Sequence, residues 1–111
     1  NAIDVPAYLL PTPHEVFEFL SRVDHRSVRM LFDAYHCAKG GGDPIAQVGD
    51  FVDIIGHVQY ADYPGRGAPG TGEVPFNRFL DALDAVGYAG AVGMEYAPSG
   101  STVESLAWRS A

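Results

Sequence analysis

The stretch Ile54–Glu73, "IIGHVQYADYPGRGAPGTGE", decides how this chain folds. In its first half His57, Gln59 and Ala61 alternate with Val58 and Tyr60, the period-two pattern of a β-strand. Its second half, Gln59 to Glu73, holds four glycines, two prolines, one arginine and two carboxylates. The segment then enters "VPFNRFLDALDAVGY", where Phe76, Phe79, Leu80, Leu83 and Val86 share one helical face and Gly87 is placed to stop it. The whole reads as strand, shaped loop, helix. Turns set by Pro64, Gly65, Pro69 and Gly70 would carry Arg66 back over the strand's C-terminal end. The loop has no Gly-Lys-Ser/Thr and no glycine-rich turn opening directly into a helix, so it is not a phosphate cradle.

The same unit recurs on both sides. Upstream, Thr12-Pro13-His14-Glu15 has the form of a capping box with proline at the first helical position, and Val16, Phe17, Leu20 and Val23 continue an apolar face. "VRMLFDAYH" reads as a buried strand that turns polar at its C-terminal end. After Gly40-Gly41-Gly42, Asp43-Pro44 opens a second helix with Ile45, Val48, Phe51, Val52 and Ile55 inward. Downstream, "AGAVGMEYA" reads as a third strand, and Ser101 with Glu104 forms another capping box before "VESLAWRS". Alternating helices and strands predict right-handed crossovers and a parallel sheet. Three parallel strands neither close a barrel nor cover both faces of a sheet. The expectation is one structural unit that forms part of a larger object.

Composition narrows the function classes. The 111 residues carry seven Lys+Arg against fourteen Asp+Glu, a formal charge of −7, which disfavours nucleic acid as a partner. No apolar run approaches the roughly 20 residues of a membrane-spanning helix. The single Cys37 excludes an internal disulfide and a Cys-rich zinc site, and suits a reducing, cytoplasmic setting.

Each strand delivers an oxygen-bearing side chain at its C-terminal end: Asp33, Gln59 and Glu95. In a (β/α)₈ barrel that face carries the active site. Two carboxylates and an amide oxygen suit a hard divalent cation such as Mg²⁺ or Mn²⁺ better than zinc. Taken singly, each could be a helix cap or a solvated loop residue. Three in register on successive strands weigh more.

"FDAYH", "GHVQYADYPGRGAPGTGE" and "GMEYAP", in this order and spacing, resemble the hydroxypyruvate isomerase family of xylose isomerase-like TIM barrels. The likeness covers nearly the whole chain, and the loop is its most specific part. It implies an α/β fold, a partial (β/α)₈ TIM barrel in which residues 1–111 supply roughly strands six to eight of the C-terminal part. It implies Asp33, Gln59 and Glu95 as metal ligands, with a first ligand, a glutamate, in a tetrad of which Asn1 is the last letter. It implies His36 and Arg66 as substrate-binding residues and Glu95 as a catalytic proton-transfer group. The implied reaction interconverts hydroxypyruvate and tartronate semialdehyde through an enediolate stabilised by Mg²⁺ or Mn²⁺. Residues 1–111 alone are then expected to be inactive. Ala97 stands where the resemblance leads one to expect lysine, which leaves the substrate open within short hydroxy-carbonyl compounds.

Other residues receive plainer readings. His57 is expected as an interior histidine, Cys37 as a buried small residue, and Phe17, Phe51, Phe76, Phe79 and Trp108 as packing residues. Arg66 could instead pair with Asp62 or Glu73, which in the functional reading brace the loop around it. Three alternatives stand beside the isomerase: a ketose epimerase or inosose dehydratase-like enzyme, a non-catalytic binding domain, and a half-barrel forming a homo-oligomer through its sheet edges.

Overall fold

A computed structural model describes residues 1–110. Helix α1 spans Pro13–Val23, β1 Met30–Asp33, α2 Ala34–Lys39, α3 Pro44–Phe51, β2 Ile55–Tyr60, α4 Phe76–Ala85 and β3 Val92–Met94. Short 3₁₀ turns cover Val52–Ile54 and Glu104–Ser110. The three strands form one parallel sheet in the order β1-β2-β3, with Asp33 beside Gln59 and Gln59 beside Gly93. The fold is the α/β, parallel arrangement that the sequence predicts.

The outer face of the sheet makes the core. Met30, Phe32, Val58 and Tyr60 are buried there against Val48 of α3 and Phe79 and Leu83 of α4. Tyr60 stacks obliquely on Phe76 and Phe79 at 4.7 and 5.8 Å, and its hydroxyl donates to the Val74 carbonyl at 2.6 Å. A buried phenol needs such a partner, so the bond fixes where the loop re-enters the core. The inner face is more open: Leu31 is 52% exposed, while His57 and Gln59 are half-buried.

Local chemistry sets the element boundaries. Thr12 Oγ1 accepts from the Glu15 N–H while Glu15 reaches back to the Thr12 N–H, so the expected capping box forms. Asp43 caps α3 through the N–H groups of Ile45 and Ala46. Gly87, at φ 75°, adopts the left-handed conformation that ends α4. Ser101 and Glu104 also form their capping box, ahead of a 3₁₀ segment instead of an α-helix.

Three expectations need correction. "AYH" is not strand: Asp33 Oδ1 accepts the His36 N–H at 2.9 Å, and this cap turns the chain into α2 directly after β1. Ile55 is not on the helix after Asp43, since α3 tightens into a 3₁₀ turn and Ile55 begins β2. The apolar side of α1 is covered only in part: Val16 and Leu20 pack half-buried against the core, but α1 has no fully buried residue and Phe17 is 41% exposed. Amphipathic spacing sets a helix's phase but does not supply a surface to cover it.

Candidate active site

The C-terminal ends of the strands converge as their register requires. Asp33 ends β1, Gln59 lies next to it on β2, and Glu95 follows β3, its N–H donating to the Tyr60 carbonyl at 3.0 Å. One ligand atom each from Asp33, His36 and Glu95 lies within 4.8 Å of the others. Ligands about 2.1 Å from a common Mg²⁺ lie at most about 4.2 Å apart, so the carboxylates of Asp33 and Glu95 need to close by only about half an ångström. Gln59 is the register partner of Asp33 on β2, and two carboxylates with an amide oxygen from that position make a donor set that a hard divalent cation fits.

Asp33 Oδ1 caps α2 while the same carboxylate takes part in the Asp33–His36–Glu95 group. The cap also places His36 in the first turn of α2, between Asp33 and Glu95. Burial pushes the His36 imidazole below its ordinary value, against the opposing pull of Asp33; Arg66 pushes the same way as burial, and Glu95 opposes it. His57 lies two residues before Gln59 on β2, beside Leu31 of β1. A Cβ on Gly93 would come within 2.8 Å of His57 Nε2 and 3.7 Å of Gln59 Cγ, so Gly93 leaves the room both side chains occupy.

Arg66 reaches the site, though not with the partners that sequence considerations offered. Its Nη2 donates to Glu95 Oε2 at 2.7 Å, where Asp62 or Glu73 was the expected alternative. Both side chains are more than a third exposed, so this pair contributes about 1 kcal/mol at most. The guanidinium also lies 5.3 Å from the centre of the Tyr35 ring. Its backbone sits at φ 54°, uncommon for a residue with a side chain, and its carbonyl accepts from the Ala97 N–H at 2.8 Å.

Asp62 holds the loop in that conformation. The side chain is buried, and its two oxygens accept three backbone N–H groups: Gly70 at 3.0 Å, Gly72 at 2.8 Å and Val74 at 3.0 Å. Its own backbone pairs with Gly67 in a one-residue antiparallel bridge. Glu73 braces only through its backbone, its N–H donating to the Tyr63 carbonyl at 2.7 Å. Cys37 is buried, donates to Gln47 Oε1 at 3.2 Å and is not part of the Asp33–His36–Glu95 group.

Residues 4–111 match the family model described as xylose isomerase-like TIM barrel. The chain belongs to that family. It is 32% identical over 108 residues to the hydroxypyruvate isomerase of Escherichia coli (strain K12), covering 97% of this chain and 42% of that protein. It is 36% identical over 104 residues to a 2-oxo-tetronate isomerase of Haemophilus influenzae, covering 93% and 40%. The crystal structure of an AP endonuclease, family 2, from Brucella melitensis superposes with a TM-score of 0.93 at 33% identity, over 99% of this chain and 43% of that one. The chain therefore spans about two fifths of the length of the relatives it matches.

Two groups beside the site escape a linear reading: Tyr35, under Arg66, and Asp4, whose Oδ2 accepts the Tyr35 hydroxyl at 2.8 Å. Tyr35 stands inside the motif "FDAYH" and could have been flagged by its neighbour His36. Asp4 is 31 residues away and carries no local signal.

Proposed function

We propose that the protein carrying this chain is a metal-assisted isomerase of short hydroxy-carbonyl acids, interconverting hydroxypyruvate and tartronate semialdehyde. The observation that carries the reading is the convergence of Asp33, His36 and Glu95 within 4.8 Å, beside Gln59 and under Arg66. Asp33, Gln59 and Glu95 would hold a divalent cation, which when bound draws charge off the substrate oxygens and eases loss of the neighbouring carbon-bound proton.

This chain's side chains supply most of the remaining steps. Glu95 takes the proton from C3 of hydroxypyruvate, the hydroxyl proton passes from the C3 oxygen to the C2 oxygen, and a proton returns to C2. The returning group is a second carboxylate, which the family resemblance puts upstream of Asn1. Arg66 uses the guanidinium N–H donors that Glu95 leaves free to hold the substrate carboxylate. One arginine next to a cation site suffices to bind an anion on a chain of charge −7.

A four-carbon 2-oxo acid is the second reading, favoured by the 36% identity to a 2-oxo-tetronate isomerase and by the small Ala97 beside Arg66. The test is to incubate the intact protein with hydroxypyruvate and Mg²⁺ or Mn²⁺ and to follow tartronate semialdehyde. Glu95→Gln should lower turnover by about 10²–10⁴-fold, the usual contribution of a general base. Absence of turnover by the native protein with every divalent metal tried would overturn the hydroxypyruvate assignment, and turnover of a four-carbon acid instead would establish the second reading.

A further inference from the structure

We propose that Asn1 is a positioning residue: it fixes His36 in the tautomer protonated on Nε2, so that His36 meets substrate as a hydrogen-bond donor and is not a metal ligand. The inference deepens the isomerase reading and rests on it for the word substrate; the tautomer itself rests on geometry alone.

Asn1 is 3% exposed, and the orientation of its amide is settled by its neighbours. One end accepts the backbone N–H groups of Ile3, at 3.1 Å, and Asp4, at 2.8 Å. Those groups only donate, so that end is the oxygen. The other end, Nδ2, lies 3.1 Å from Asp4 Oδ2 and 2.6 Å from His36 Nδ1. An amide nitrogen only donates, hence Nδ1 must present its lone pair. A neutral imidazole that accepts at Nδ1 carries its proton on Nε2. An imidazolium would set N–H against N–H at this distance.

The consequence separates His36 from the two carboxylates it lies beside. A histidine that ligates a metal typically donates its second ring N–H to a carboxylate or carbonyl, which frees the ligating nitrogen's lone pair. Here the group on Nδ1 is a donor, the reverse arrangement. The nitrogen left to the site is a protonated Nε2, suited to a substrate hydroxyl or carbonyl oxygen. The cation is then left with oxygen donors. Asn1 is itself clamped: Asp4 Oδ2 also takes the Tyr35 hydroxyl at 2.8 Å, and Lys39 Nζ lies 3.6 Å from Asp4 Oδ1.

The experiment is a long-range ¹H–¹⁵N spectrum of the intact protein labelled in histidine, with and without Mg²⁺. His36 should show a pyridine-like Nδ1 and a pyrrole-like Nε2, unchanged when Mg²⁺ is added. Asn1→Asp keeps acceptors for Ile3 and Asp4 but turns the donor facing His36 into an acceptor, so the pattern should invert. Asn1→Ala should leave both tautomers in exchange and lower kcat/KM for hydroxypyruvate by about 10–100-fold, the scale of loss when a residue orienting a site group is removed. A pyrrole-like Nδ1 in the native protein, loss of the Nε2 proton on adding Mg²⁺, or an unchanged pattern in a folded Asn1→Asp would each overturn the proposal. If Asn1→Asp does not fold, the native spectra decide alone. The tautomer is read without turnover, so a failed isomerase assay and a failed tautomer assignment are separate results.

Discussion

Replacing Asp62 by alanine removes the acceptors of three backbone N–H groups at 2.8–3.0 Å, on Gly70, Gly72 and Val74, and puts nothing in their place. A hydrogen bond to a charged group contributes about 1.5–3 kcal/mol, and a buried donor left unpaired adds its own desolvation penalty. The Val74 bond is fully buried, whereas those to Gly70 and Gly72 are partly so, and losses on one carboxylate do not add. The expected cost is about 4 kcal/mol, a large share of the 5–15 kcal/mol that holds a typical domain together. Asp62→Asn should cost about 2 kcal/mol, since one oxygen remains while the new NH₂ group faces a donor. Urea unfolding of the intact protein measures both. Limited trypsin digestion at Arg66 reports on the loop separately, because release of Gly70 and Gly72 should expose that bond to cleavage first. An Asp62→Ala protein within about 1 kcal/mol of the native one, with Arg66 equally resistant, would refute the view that this carboxylate organises the loop.

Gly93→Ala pushes a methyl group against His57 Nε2 and Gln59 Cγ; the flexible end of His57 can give way, so stability should fall by about 1 kcal/mol while Mn²⁺ affinity, measured by titration calorimetry, weakens. Gly72→Ala should be worse than Gly93→Ala in the same unfolding assay, because its methyl meets the rigid Tyr63 carbonyl oxygen. Burial, with help from the Asp43 and Asp33 charges, pushes the Cys37 thiol up to about 12, so the native protein should resist a thiol reagent at pH 8 and react fully once denatured. Hydrogen bonds from Asn1, then Tyr35, hold the Asp4 carboxyl below its ordinary value. A lowered carboxylate adds stability above its unfolded value, near 3.8, and loses it as pH falls through the folded one. Asp4→Asn should therefore flatten the acid limb of the stability–pH curve; parallel curves for the two proteins would contradict this.

Much of the architecture is legible because it is local. Thr12 and Glu15 are three residues apart, and Val58 and Tyr60 two, so their spacing alone reveals cap and strand. The parallel order follows from alternation, and it brings Asp33 beside Gln59. What stays hidden depends on distance or on competition. Arg66 and Glu95 are 29 residues apart, and nothing in either neighbourhood names the other. Asp4 and Tyr35 meet only after β1 and α2 have formed. At Asp33 two local signals compete: the apolar run before it argues for continued strand, while the aspartate itself is a good helix cap. The cap wins, and the six-residue α2 that results is what turns His36 toward Glu95.

The Asp62 carboxylate gives the Asp62–Val74 loop an internal bracing of its own. Three of its bonds and the pairing with Gly67 all close within the thirteen residues Asp62–Val74, while the Tyr60–Val74, Ala97–Arg66 and Arg66–Glu95 bonds tie the segment to the sheet. Such a segment behaves as a cassette. Its middle should tolerate a change of length as long as an aspartate opens it and a buried apolar residue closes it. A scaffold of strands could then present a different side chain over the site by replacing one short piece of sequence, leaving Asp33 and Gln59 at the strand ends untouched.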